Sequence, residues 1–216
     1  MIQKAPTKQN LKNLLQYYQE RKFDDAEQLA LSIVKEFPNN QFSLKILGGI
    51  LVNKGRFFEA INIYKKSAKL NPGDPQTYYN LGISFKNCGK FLEAESNYRQ
   101  AILLNPKYVE AYNNLANIQK KLNKIQEAEI NYKRAIELNS DFAEPYYNLG
   151  TLYQKINKTL EAEANFKIAI KLKPNYAEAH NNLGSLFQEL ERLEEAEYCF
   201  RKSVSLNPNL MDAYLN

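Results

Sequence analysis

Between Val109 and Leu122 the chain reads VEAYNNLANIQKKL, with apolar residues at Ala111, Leu115, Ile118 and Leu122. Steps of three and four residues are the helical period, so the stretch predicts an amphipathic helix. The same kinds of position return along the chain at a fixed interval. Ala26, Ala60, Ala94, Ala128, Ala162 and Ala196 stand 34 residues apart, as do Tyr64, Tyr98, Tyr132, Phe166 and Phe200. Gly48, Gly82, Ala116, Gly150 and Gly184 form a third row, with the larger Leu14 at the corresponding point near the start. Pro38, Pro72, Pro106, Pro174 and Pro208 keep the step too, with Ser140 where a proline is missing. Several rows held in one register make an internal repeat the organising feature of the chain.

Setting the proline at position 32 of the repeat gives units 7–40, 41–74, 75–108, 109–142, 143–176 and 177–210, with 211–216 (MDAYLN) matching the opening of a seventh. The first unit is atypical, with Asn13 and Leu14 where later units carry leucine and a small residue. Each unit predicts two helices, A at positions 2–14 and B at positions 18–31. Small residues at positions 8 and 20 let the pair approach closely. Aromatics at positions 4, 11 and 24, such as Tyr78, Phe85 and Tyr98, fill the space around them. Gly55, Gly89, Asn123 and Asn157 fall at the turn between A and B, where a left-handed backbone is needed. Proline after helix B stops it from continuing, so Ser140 predicts a softer junction before the fifth unit.

This pattern resembles the tetratricopeptide repeat family. In the fourth unit the residues that carry the likeness are Tyr112, Leu115, Ala116, Ala128, Tyr132 and Ala135, and the likeness covers nearly the whole chain. The resemblance implies an all-α fold, a right-handed superhelical solenoid of about six helix-turn-helix repeats. It places the A helices along a concave groove. The predicted organisation is a single array without a linker. An end at residue 216, part-way into a further helix A, reads as a fragment or as a face covered by another molecule.

Asn80, Asn114, Asn148, Asn182 and Asn216 all occupy position 6. In this family that position faces the groove together with positions 2, 5, 9, 12 and 13. A carboxamide offers an acceptor and two donors, which suits it to bridge the N–H and C=O of an extended peptide. With A helices about 10 Å apart and an extended chain rising about 3.3 Å per residue, one asparagine meets roughly every third peptide residue. The alternative is that these asparagines serve helix packing or solvation alone. Asparagine is the poorer helix former, so alanine at these sites predicts no loss of stability. The candidate peptide-binding residues are Asn80, Asn114, Asn148 and Asn182, flanked by Lys86, Asn117, Lys120, Lys121 and Lys155. With Tyr79 and Tyr147 at position 5, these neighbours suit an extended segment bearing acidic or hydroxyl side chains. Lys12 and Ile46 interrupt the row in the first two units. The lysine and asparagine clamp by which some chaperone-binding repeats hold a C-terminal carboxylate is missing, because Lys45 is followed by Ile46 and Gly49.

Net charge is +5, with six basic against two acidic residues in 41–74 and three against six in 177–210. That mixture lacks the basic stripe of a nucleic-acid surface. Catalytic chemistry is not suggested either. His180, the single histidine, falls at the aromatic position 4, and no phosphate loop, nucleophile triad or metal-ligand set is present, so no cofactor is predicted. Position-19 glutamates such as Glu59 and Glu127 sit at the start of helix B, where the dipole favours an acid. Cys88 and Cys199 are far apart and read as reduced thiols, at least half-buried. With no apolar run long enough for a membrane span and no leader pattern at residues 1–10, the expectation is a cytoplasmic protein.

The predicted function is therefore a non-catalytic protein-interaction scaffold that binds an extended segment of a partner. Two alternatives stand beside it. The AYNNLAN and AHNNLGS segments resemble the arm by which O-linked N-acetylglucosamine transferases recruit substrates, which implies an arm of a larger glycosyl- or sulfo-transferase. The other is self-association through an uncapped C-terminal face.

Overall fold

The computed structural model describes residues 5–208. Twelve helices account for the regular structure of these residues: α1 (Lys8–Gln19), α2 (Phe23–Glu36), α3 (Gln41–Asn53), α4 (Phe57–Leu70), α5 (Pro75–Asn87), α6 (Phe91–Leu104), α7 (Val109–Lys121), α8 (Ile125–Leu138), α9 (Ala143–Lys155), α10 (Thr159–Leu172), α11 (Ala177–Glu189) and α12 (Leu193–Leu206). From α3 onward the odd helices span repeat positions 1–13, and all the even helices span 17–30, one residue earlier than expected. The chain divides into two compact units, Met1–Ala111 and Tyr112–Asn216.

In the first unit, α3 packs against α1, α2, α4 and α5, and α5 packs in turn against α4 and α6. The small residues explain the closeness of these contacts. A methyl group on Gly48 would lie 2.6 Å from the Tyr64 ring, and one on Gly82 would lie 2.5 Å from the Tyr98 ring. Both tyrosines are buried, together with Leu14, Ala26, Leu44, Ala60 and Ala94. The first unit begins its odd helices with side-chain caps. Thr7 accepts from the Asn10 amide at 3.1 Å, Asn40 from the Ser43 amide at 2.9 Å, and Asp74 from the Gln76 amide at 3.3 Å.

In the second unit α9 packs against α8, α10 and α11, and α11 packs against α10 and α12. Its core joins Tyr132, Leu152, Phe166, Leu186 and Cys199 around Ala128, Ala162 and Ala196. Gly150 and Gly184 lie under Phe166 and Phe200 as their counterparts do in the first unit.

Four of the turns between paired helices take positive φ at the expected residues: 73° at Gly55, 72° at Gly89, 60° at Asn123 and 57° at Asn157. Arg21 and Glu191 take 58° at the same place, without the tolerance that glycine or asparagine brings. The Ser140 junction ends as firmly as the others. Helix α8 stops at Asn139 with φ −149° and ψ 97°, against −136° and 91° at Asn105, which precedes a proline. The reason is the cap itself. Asn139 Oδ1 accepts from the Asp141 amide at 3.1 Å, as Asn105 Oδ1 does from the Lys107 amide, and this local turn closes the helix without proline's help.

Even helices start differently. Lys22, Arg56, Lys90, Lys124, Lys158 and Arg192 stand at their N-caps and make no side-chain cap. A cation there opposes the helix dipole. Acids in the first turn compensate, as Arg56 with Glu59 at 2.6 Å and Arg192 with Glu195 at 2.6 Å show. The same arginines reach back to the preceding hairpin, Arg56 to the buried Glu27 and Arg192 to the half-buried Glu163 at 2.7 Å. Lys54 joins Glu27 as well, and these cations hold its carboxyl below the usual range. Each such glutamate staples two successive hairpins.

Candidate functional site

The odd helices of the second unit carry a ladder of polar side chains. Asn148 on α9 donates from Nδ2 to Oδ1 of Asn113 on α7 at 3.0 Å. One hairpin further, Asn182 on α11 donates to the Tyr147 hydroxyl on α9 at 3.1 Å. Both bonds join position 6 of one hairpin to position 5 of the one before. Asn113 is buried, whereas Asn114, Asn148 and Asn182 are each half-buried. Asn114 also has protein contacts. Tyr147 is fixed by its neighbours, with ring centroids 4.8 Å from Tyr176 and 6.0 Å from Phe166.

The lysines of this unit gather at the end of the same helices. Lys120 of α7 is half-buried, and its Nζ donates to Thr151 Oγ1 on α9 at 2.8 Å. That hydroxyl donates onward to the Asn148 carbonyl at 2.7 Å. Burial pushes the Lys120 ammonium to a lower pKa than usual, and the charges of Lys155 and Lys121 push it further the same way. Lys155, exposed at the end of α9, lies 3.4 Å from Oδ1 of Asn123 in the turn after α7. Asn117 has its carbonyl oxygen occupied by the Tyr132 hydroxyl at 2.7 Å, so it also supports the core.

The remaining candidates, Asn80 and Lys86, belong to the first unit. Asn80 hydrogen-bonds the Tyr64 hydroxyl and accepts from Gln76 Nε2 at 3.1 Å. Lys86 is half-buried near the end of α5. Tyr79 stacks on Tyr108, with centroids 4.8 Å apart, so the position-5 tyrosine is a packing residue in both units. Asn216, the last asparagine of the row, and the 211–216 segment lie outside the described residues. Lys45 adds to the case against a carboxylate clamp, because it pairs with Asp74 at 2.9 Å.

His180 is buried, with Nε2 donating to the Pro174 carbonyl at 3.2 Å. Among the described residues, no group of three or more His, Cys, Asp or Glu side chains could hold a metal ion. No described helix is long and apolar enough to cross a membrane. On the second unit's last helix, Leu193, Ala196, Phe200 and Val204 line a largely apolar hollow of about 600 Å³.

Models of the tetratricopeptide repeat match residues 75–108, 109–142 and 177–210, and two further models of the same repeat match 48–89 and 131–164. The matched stretches cover well over half of the chain. The chain belongs to the tetratricopeptide repeat family. Among solved structures it is similar to MamA, at 26% identity and TM-score 0.68, over 77% of this chain and 97% of that one. It is also similar to YrrB, described as a TPR protein with an unusual peptide-binding site, at 20% identity and TM-score 0.65 over 84% and 94% of the two chains. The Cut9 structure, solved as an APC/C hetero-tetramer with Hcn1, aligns at 19% identity and TM-score 0.79 over 93% of this chain and 40% of that one. A comparison with curated protein sequences returned no significant match. Family membership supports a protein-interaction scaffold.

The ladder is only half visible in the sequence. The asparagine row is legible there, but its hydrogen bonds to the preceding hairpin are not. The Glu27 and Glu163 staples escape sequence reasoning altogether, although bases at position 16 and, except for Ile61, acids at position 21 recur at the same 34-residue step.

Proposed function

We propose that this tetratricopeptide repeat chain is a non-catalytic scaffold that holds an extended segment of a partner protein along its odd helices. The polar ladder on α7, α9 and α11 carries this reading. Asn148 commits one amide proton to Asn113, which fixes the carboxamide in place while its oxygen and second proton can meet a peptide backbone. A polar group ordered before binding loses less side-chain entropy when a ligand arrives. The ladder's hydrogen bonds therefore favour a recognition role as well as a packing one. The proposed contacts in the second unit are Asn114, Asn148 and Asn182, with Asn117, Lys120, Lys121 and Lys155 beside them, and those in the first unit are Asn80 and Lys86.

Panning a random peptide display library against the wild-type chain, and against a variant with Asn→Ala at 80, 114, 148 and 182, tests the reading. Thermal unfolding would establish that both preparations are folded. Peptides that enrich on the wild type and are lost on the folded variant support backbone reading by the carboxamides. The same peptides on both would place binding elsewhere.

A further inference from the structure

Lys120 differs from the residues that hold its place in the next two hairpins. There, repeat position 12 carries Gln154 and Gln188, so the hairpin does not require a cation at this point. The C-terminal end of α7 favours a positive charge, but that preference can be met by a lysine extended into water. Lys120 instead lies half-buried against α9, with its ammonium held on Thr151 at 2.8 Å. Its charged neighbours, Lys155 and Lys121, are cations, and among the described residues no carboxylate pairs with its ammonium. A half-buried ammonium without a counter-charge is a costly arrangement, and an anion would relieve it.

We propose that Lys120, with Lys121 and Lys155 around it, forms a subsite for an oxyanion on a side chain of the bound segment. This rests on the reading that the segment lies along the odd helices. Thr151 takes one of the three ammonium protons and leaves two to meet the oxyanion. Lys155 is steadied near Asn123 and adds its charge from α9, so the subsite draws on two successive hairpins. The oxyanion is a carboxylate of Asp or Glu, or the phosphate ester of a modified hydroxyl.

The test is peptide panning on the full chain as wild type, Lys120→Gln and Lys120→Arg, each checked for folding by thermal unfolding. Wild-type peptides are expected to share an Asp or Glu at one fixed position, with that preference lost on Lys120→Gln and kept on Lys120→Arg. Resynthesis of one selected peptide with Asn at that position should weaken binding by about tenfold or more. A phosphoserine version distinguishes the two oxyanions, since tighter binding than the Asp peptide assigns the subsite to phosphate and weaker binding assigns it to carboxylate. Peptides that enrich without a fixed acid, or with the same acid on Lys120→Gln, overturn the subsite and leave the scaffold reading standing. No enrichment on the folded wild type overturns both.

Discussion

Lys45 in the first unit and Lys120 in the second are both lysines on odd helices, yet their surroundings are opposite. Lys45 is neutralised within the chain by Asp74, which also caps α5. Lys120 has a hydroxyl as its partner and two lysines as its charged neighbours. Position 6 divides in the same way. The first unit carries Lys12, Ile46 and Asn80 there, while the second carries Asn114, Asn148 and Asn182. The hairpins of the two units are built on one plan, with small residues under aromatic rings, and in each unit a glutamate at position 21, Glu27 or Glu163, ties one hairpin to the next. The difference lies in how the polar groups of the odd helices are used. In the first unit they largely close caps and ion pairs, and in the second they form a ladder that keeps hydrogen-bonding capacity.

The most disruptive way to test the shared plan is to remove a staple from each unit. Glu27→Gln and Glu163→Gln should each cost about 2 kcal/mol, because a sheltered acceptor of charged hydrogen bonds is lost while its cations can partly rehydrate. Chemical denaturation would measure both, and a loss confined to one unit would contradict a common plan. The Glu27 carboxyl is held below its ordinary value, so its contribution is full at neutral pH. That contribution fades as pH falls below about 4, through the lowered folded-state value. Glu27→Gln should therefore narrow its stability gap to the wild type in acid.

Closer to the core, Gly82→Ala and Gly150→Ala set a methyl group within 2.5 Å of Tyr98 and 2.7 Å of Phe166. Overpacking of this kind costs about 1–3 kcal/mol and the better helix propensity of alanine returns about 1, for a net loss of up to about 2 kcal/mol. Melting temperatures should drop for both variants. An unchanged value would mean that the rings shift freely to make room for the added methyl group.

Asn148→Ala sharpens the contrast between the units. Helix propensity alone predicts a neutral or stabilising change, but the substitution strands the buried Asn113 oxygen. A net loss of about 0.5–1 kcal/mol is expected. A gain would mean that the ladder bond contributes nothing to the fold. Glu191→Gly is the mildest of the set, a gain of under about 1 kcal/mol from relief of the 58° backbone, visible as a small rise in melting temperature.

These cases also show how far the sequence can be read. Rows such as Ala128, Tyr132 and Pro106 repeat at a fixed step, and local rules then place helices, turns and core positions from them. Asn123 and Asn157 are recognisable as left-handed turn residues, whereas Arg21 and Glu191 are not, because nothing in their chemistry favours that backbone. The Asn148–Asn113 and Arg192–Glu163 pairs join separate hairpins, 35 and 29 residues apart. A row shows that a residue recurs, but which atom it meets depends on how neighbouring helices are set against each other. For the same reason Lys120 and Lys121 look alike in sequence, and only packing against α9 separates the half-buried one from the exposed one.

The central claim is that a partner's extended segment lies on the odd helices, and it can be mapped directly. A peptide selected on the wild-type chain would be titrated into isotope-labelled protein while side-chain carboxamide and backbone amide resonances are followed by NMR. The account predicts the largest shifts at Asn114, Asn148, Asn182 and Thr151. Shifts centred instead on the exposed even-helix residues Ile130, Leu160 and Tyr198 would contradict it.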